Sequence, residues 1–321
     1  MIRILATTLC AAQIALSTNP VGAQEVTLRA ITAFAEGTWG SKNFERFVEK
    51  VNKDGKGIVQ INYIGGPRAM PPFEVGNAVR SGVVDIANVP GAFYTNLLPA
   101  AEALKLQTKP MSEVRQNGGW ELLNQLHNEK MNAVFLARWT QRVSYHFYLS
   151  KPVDKFDLTG LKIRTTPIYR DIITQMGAVP ITTPPGEVYT AMERGVVDGY
   201  GWPLIGIFDL GWEKVTKTRL DPGFYSVDIC VLANLAKWKQ LTPAQQNVLQ
   251  VAALWLEDLD KEHVAMTQEE RERQAKAGIT VVRASDAQAK EFTKMVADIG
   301  WATVTKSSPD VSAKLRSLLA D

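Results

Sequence analysis

Residues 67–90 read PRAMPPFEVGNAVRSGVVDIANVP, and residues 180–203 read PITTPPGEVYTAMERGVVDGYGWP. At a constant offset of 113 residues, eleven of these 24 positions are identical, where chance at ordinary residue frequencies gives about one or two. The shared residues include Pro71-Pro72 with Pro184-Pro185, Glu74-Val75 with Glu187-Val188, and Gly82-Val83-Val84-Asp85 with Gly195-Val196-Val197-Asp198. Each stretch predicts one loop–helix–strand unit. The prolines break the preceding chain and admit a helix only in its first turn. Glu74 and Glu187 then stand where the helix dipole favours a carboxylate. The helices run to Arg80 and Arg194, and Gly82 and Gly195 supply the left-handed stop. Val-Val-Asp is expected to be a short buried strand, with Pro90 and Pro203 opening the loops beyond. Two copies this far apart predict two similar α/β lobes rather than a solenoid. Such lobes leave a cleft at the ends of their strands.

The flanking sequence extends this pattern. Val26–Ile31 and Ile58–Ile64 alternate apolar and polar residues and predict strands, with an amphipathic helix over Gly40–Asn52 between them. Met131–Tyr148 is apolar and aromatic, and is expected to be one crossover strand between the lobes. Leu161–Arg164 predicts another short strand. Thr242-Pro243 supplies an N-cap and first-turn proline for the longest helix, which runs to Ala277 with Gly278 as its stop and a possible break. At 1.5 Å per residue it would span about 50 Å, enough to cross both lobes. Two further helices are expected to start near Ser285 and at Ser308-Pro309.

The first residues, basic at Arg3 and apolar from Ile4 to about Leu16, predict a signal peptide cleaved after Ala23. The apolar run is too short for a membrane span, which needs about 20 residues. Cys10 belongs to this leader, so Cys230 is the single cysteine of residues 24–321 and the lobes must rest on ordinary hydrophobic cores. The net charge of +3 falls to +2 without Arg3. Acidic and basic residues are interspersed, which argues against a nucleic-acid partner.

Five segments in this order resemble the extracytoplasmic solute receptors of tripartite ATP-independent periplasmic (TRAP) transporters. They are Gly55-x-Gly57 after the first helix, Gly82–Asp85, Asp157–Arg164, Met176-Gly177-Ala178-x-Pro180, and Glu187-Val188-Tyr189-x-Ala191 through Pro203. The resemblance implies an α/β, two-lobed periplasmic-binding-protein fold with hinge-crossing strands and a long helix spanning both lobes. Residues 24–140 would form mainly lobe I and 141–235 mainly lobe II with the hinge strands. Residues 236–321 would carry the spanning helix and the C-terminal helices. It also implies a periplasmic protein that captures a small organic acid and delivers it to a membrane permease, with no cofactor. A sensor's ligand-binding subunit is the alternative with the same fold, and a secreted hydrolase is the alternative from another class.

The resemblance assigns the ligand's carboxylate to Arg164, whose planar guanidinium suits a bidentate grip. Trp202 takes the place of a residue that is often asparagine, and either packs against a ligand or fills core. Some relatives place a glutamate before this tryptophan and bridge the ligand through a metal; Gly201 removes that carboxylate, so no metal is expected. A second arginine of the family falls nearest Tyr145, with Arg142 and His146 as neighbours, which favours a monocarboxylate. Glu36, Trp39, Asn88, Phe93 and Pro185 complete the expected wall. The preferred substrates are aromatic, keto or hydroxy monocarboxylic acids, with four-carbon dicarboxylates and sugar acids as the alternatives.

Catalytic patterns are missing from the sequence. There is no H-E-x-x-H, G-x-S-x-G or G-x-x-x-x-G-K-[ST]. Of the three histidines, His127 and His263 lie in polar helical stretches and are expected to face solvent. Glu257 and Asp258 are expected on the surface of the long helix. Cys230, inside Ile229–Leu232, predicts a buried strand rather than an activated thiol.

Overall fold

The computed structural model describes residues 24–321; the expected signal peptide over 1–23 lies outside the described residues. Two sheets form the two lobes. The first has five strands: β1 (Val26–Thr32), β2 (Val59–Gly65), β3 (Ile86–Pro90), β4 (Ala133–Arg138) and β10 (Ile229–Asn234), in the order β2-β1-β3-β10-β4. The second has six: β5 (Ser144–Leu149), β6 (Lys162–Thr165), β7 (Val179–Thr182), β8 (Gly199–Pro203), β9 (Thr218–Ser226) and β11 (Thr280–Arg283), in the order β11-β9-β5-β8-β6-β7. The orders match strand for strand: β2-β1-β3 corresponds to β7-β6-β8, each set parallel. The fourth strand is antiparallel in both, and each comes from the other side of a crossover: β10 joins the first sheet and β5 the second.

The repeated stretches occupy equivalent places. Each gives a 3-10 turn begun by its second proline, a short helix (Val75–Ser81 and Val188–Glu193), and a glycine at φ +78° or +68°. The following strands begin later than the sequence suggests, at Ile86 and Gly199. Val83 and Val196 are half-exposed, while Val84 and Val197 are buried. Asp85 and Asp198 explain the offset. The Asp85 carboxylate accepts the backbone N–H of Arg29 at 2.8 Å, and that of Asp198 accepts the N–H of Lys162 at 2.9 Å. In return their own N–H groups donate to the same residues' carbonyls. The shared Gly-Val-Val-Asp is thus a clasp that docks the incoming strand onto its parallel neighbour.

Met131–Tyr148, expected as one strand, is two strands in different sheets. Residues 139–143 between them form one hinge crossing, and Val227-Asp228 forms the other. The crossings lie side by side: Trp139 N–H donates to the Ile229 carbonyl at 3.1 Å, and Val227 N–H to the Val143 carbonyl at 2.9 Å. The long helix spans both lobes in two parts, Pro243–Asp258 and His263–Lys276, joined by a 3-10 turn over Leu259–Glu262. Thr242 and Gln245 close its first turn as a capping box. The first part packs on β4 and on the Trp39–Asp54 helix. The second reaches the other lobe, where Gln274 donates to the Leu204 carbonyl at 2.8 Å and accepts from Arg219 at 2.6 Å. Its break sits at the hinge, because Asp260 accepts the N–H groups of Gln141 and Arg142.

Three expectations about polar residues are corrected by this packing. His127 is fully buried between the Leu123 carbonyl and the Tyr94 hydroxyl. His263 is fully buried against Asp260. Glu257 points into the first lobe, where Arg115 grips it with two nitrogens at 2.7 and 2.9 Å.

Candidate functional site

A cavity of about 300 Å³ lies between the lobes, at the strand ends and beside the hinge. The first lobe contributes Phe34, Trp39, Pro90 and Phe93; the second contributes Tyr145, Tyr169, Pro185 and Trp202; Val227 and Ile229 close the hinge side. Prolines and aromatic rings dominate this wall. Glu187 and Asp209 also border it, and among the described residues no lysine or arginine does. Asp209 joins the lobes by accepting the Trp39 N–H, at the start of the Trp39–Asp54 helix, at 2.7 Å. A carboxylate is favoured there by the helix dipole.

The cavity brings together Trp39, Phe93, Tyr145, Pro185 and Trp202 of the expected residues. Three others stand elsewhere. Glu36 is exposed and off the wall, next to Gly65. Asn88 is fully buried and its amide is spent internally: it donates to Thr32 Oγ1 and the Gly40 carbonyl, and accepts from the Trp139 indole. Its task is to hold the first lobe's strand end against the hinge. Arg164 sits behind the wall rather than on it, fully buried at the end of β6. Arg142 faces away and pairs with Asp260, and His146 is buried against Asp221.

Arg164 has an unusual environment. Nε and Nη2 donate to the Thr183 carbonyl at 2.9 and 2.7 Å; Nη1 is 3.3 Å from the Tyr169 hydroxyl and 3.5 Å from the Gly201 carbonyl. The guanidinium lies 5.7 Å from the Trp202 ring centre. No carboxylate among the described residues pairs with it. Burial pushes its pKa down, and only the phenols of Tyr169 and Tyr145 work in the other direction. A buried charge without a counter-ion is costly.

Sequence reasoning missed Tyr169. Its hydroxyl donates to the Gly201 carbonyl at 2.8 Å, and its ring lies between Tyr145 and Phe224 at 5.5 and 5.6 Å. Gly201 makes room for it: a Cβ there would stand 2.5 Å from Tyr169 Cε2. The Gly201→Ala variant is therefore expected to displace the Tyr169 ring. Its overpacking cost is about 1–3 kcal/mol, measurable by urea unfolding. A carboxylate at position 201 would meet the same ring. Among the described residues, no three His, Cys, Asp or Glu side chains form a metal-binding group.

A profile of the family described as "Bacterial extracellular solute-binding protein, family 7" (DctP) matches residues 30–304. The chain belongs to this family. Among similar proteins, a monocarboxylate 2-oxoacid-binding periplasmic protein of Nostoc sp. is 22% identical over 250 residues, covering 74% of this chain and 68% of the relative. Two solved structures share the fold. One is DctP7 of Bordetella pertussis, an extracytoplasmic solute receptor binding pyroglutamic acid. It has a TM-score of 0.81 and 20% identity, over 92% of this chain and 99% of that one. The other is a TRAP periplasmic solute-binding protein of Pseudomonas putida with bound D-glucuronate. It has a TM-score of 0.78 and 18% identity, over 92% and 98%.

Proposed function

We propose that this family 7 receptor is exported to the periplasm, closes its lobes over a small organic acid and presents the closed complex to a TRAP membrane permease. One observation carries the reading: Arg164 is a buried cation with no acid partner among the described residues, directly behind an apolar interlobe cavity. A ligand carboxylate would be its missing counter-ion. Closure excludes water and strengthens that attraction, because the same charges interact more strongly at lower dielectric. The acids named for the relatives, a 2-oxoacid, pyroglutamate and glucuronate, are of this class. The site binds and releases its ligand unchanged in this reading. Trp39, Phe93, Tyr145, Pro185 and Trp202 would pack around the body of the acid.

The test is a thermal-unfolding screen of residues 24–321 against organic acids and their primary amides in matched pairs. A ligand of the folded state raises the melting temperature by mass action. At least one acid is expected to raise it while its amide does not. Equal shifts from acid and amide would overturn carboxylate recognition.

A further inference from the structure

We propose that the ligand's carboxylate is received by the phenol pair Tyr145–Tyr169, with Arg164 acting from behind them, and that the ligand is a planar, apolar monocarboxylate. This deepens the receptor reading and rests on it. Both phenols border the cavity, with ring centres 5.5 Å apart, whereas Arg164 does not reach the wall. Tyr169 is the link, because its oxygen lies 3.3 Å from Arg164 Nη1. Accepting from a guanidinium polarises the phenol and makes it the stronger donor.

Tyr169 is wedged against Gly201, Tyr145 and Phe224, so swinging it aside to expose Arg164 would disrupt three packed contacts. Turning its O–H is the smaller change. The hydroxyl leaves the Gly201 carbonyl for the carboxylate, and Arg164 Nη1, already 3.5 Å from that carbonyl, remains to serve it. The Tyr145 hydroxyl makes no hydrogen bond to any described residue and is available as the second donor. Burial raises the pKa of both phenols, which keeps them protonated donors at neutral pH.

The same wall sets the class of acid. Arg164 stands behind it, the buried Arg138 charge that also reaches Tyr145 is opposed by Asp228, and the charged groups bordering the wall, Glu187 and Asp209, are acidic and repel a second carboxylate. A polyhydroxylated acid would bury several hydroxyls against proline and aromatic surfaces whose neutral partners are few, chiefly Thr38, Thr166 and the Trp39 and Trp202 indoles, at a cost for each hydroxyl left unpaired. A flat apolar body instead stacks on Trp202, Phe93 and Trp39.

Calorimetric titration of residues 24–321 with benzoate, D-glucuronate and succinate tests both parts. Benzoate is expected to bind at least about tenfold more tightly than the other two, the scale of one unsatisfied buried polar group. Tyr169→Phe should weaken benzoate about tenfold to a hundredfold, the worth of a hydrogen bond to a charged group. Tyr145→Phe, a second conservative variant, should also weaken it, with both variants melting near the wild type. Benzoate binding that survives Tyr169→Phe and Tyr145→Phe but is lost in Arg164→Met would overturn the phenol pair and leave the receptor reading standing. Unchanged benzoate binding in Arg164→Met would overturn both. Tighter binding of glucuronate or succinate than benzoate, or no binding of benzoate, would overturn the assigned class.

Discussion

Arg164→Met is expected to lower the affinity for a carboxylate ligand by a factor of about 30 to several thousand, corresponding to the 2–5 kcal/mol lost when one member of a buried charge pair is removed. The argument depends on where the charge sits. An exposed arginine would contribute little, because water screens it and competes for its donors. Arg164 is fully buried, fixed by the Thr183 carbonyl, and has no acid beside it among the described residues. Its field therefore acts on the cavity with little screening, and an entering anion meets a charge already in place. Methionine keeps the unbranched stem, stops short of the guanidinium position and removes the charge. Arg164→Lys separates charge from shape: the charge remains, but one ammonium replaces a planar fork that spans Thr183, Gly201 and Tyr169. It should fall between the wild type and Arg164→Met. Equal affinities in all three, measured by calorimetry with the best acid from the thermal screen, would remove Arg164 from the site.

The internal echo was legible because backbone geometry demands particular residues at its joints. A helix begun at proline and ended by a left-handed glycine leaves the same trace in both lobes, and Asp85 and Asp198 repeat because each clasps a neighbouring strand. The echo also locates the site's asymmetry. Counting from the two aspartates, Asn88 and Gly201 are equivalent; Asn88 fills its lobe by hydrogen bonding, whereas Gly201 yields space to Tyr169. Nothing local announces this, since Tyr169 reaches Gly201 only through the fold. The exchange of β5 and β10 was hidden for another reason. Residues 138–144 read Arg-Trp-Thr-Gln-Arg-Val-Ser, with no glycine or proline, so no turn signal divides the two strands. His127 and His263 misled because a polar helical stretch says nothing about which tertiary partner covers it. In His127 that partner is Tyr94, and in His263 it is Asp260, which also secures the hinge crossing.

Asp228→Asn is expected to gain about 3 kcal/mol of stability relative to the wild type as the pH rises from 4 to above 7. Asp228 lies in the second hinge crossing, fully buried, and neither carboxylate oxygen accepts a hydrogen bond from any described residue. Burial raises its pKa from 3.8 to about 6, with the nearby Arg138 charge opposing the rise. The folded protein thus holds a proton on Asp228 at pH values where the unfolded chain has released it. For a group whose pKa is raised by folding, the stabilising contribution is complete below the unfolded value and is lost as pH rises through the folded one. The shift of about two units is worth about 3 kcal/mol. Asparagine does not titrate, so the difference between the two proteins should grow from about pH 4 and level off above about 7, whatever constant offset the new amide adds. Comparing the pair isolates Asp228 from His127, whose pKa burial lowers to about 4 and whose effect on stability runs oppositely, favouring higher pH. Urea unfolding of both proteins across this range gives the difference directly. Parallel stability curves would mean that Asp228 ionises in the folded protein as readily as in the unfolded chain, and that water or local rearrangement at the hinge supplies the hydrogen bonds its carboxylate lacks.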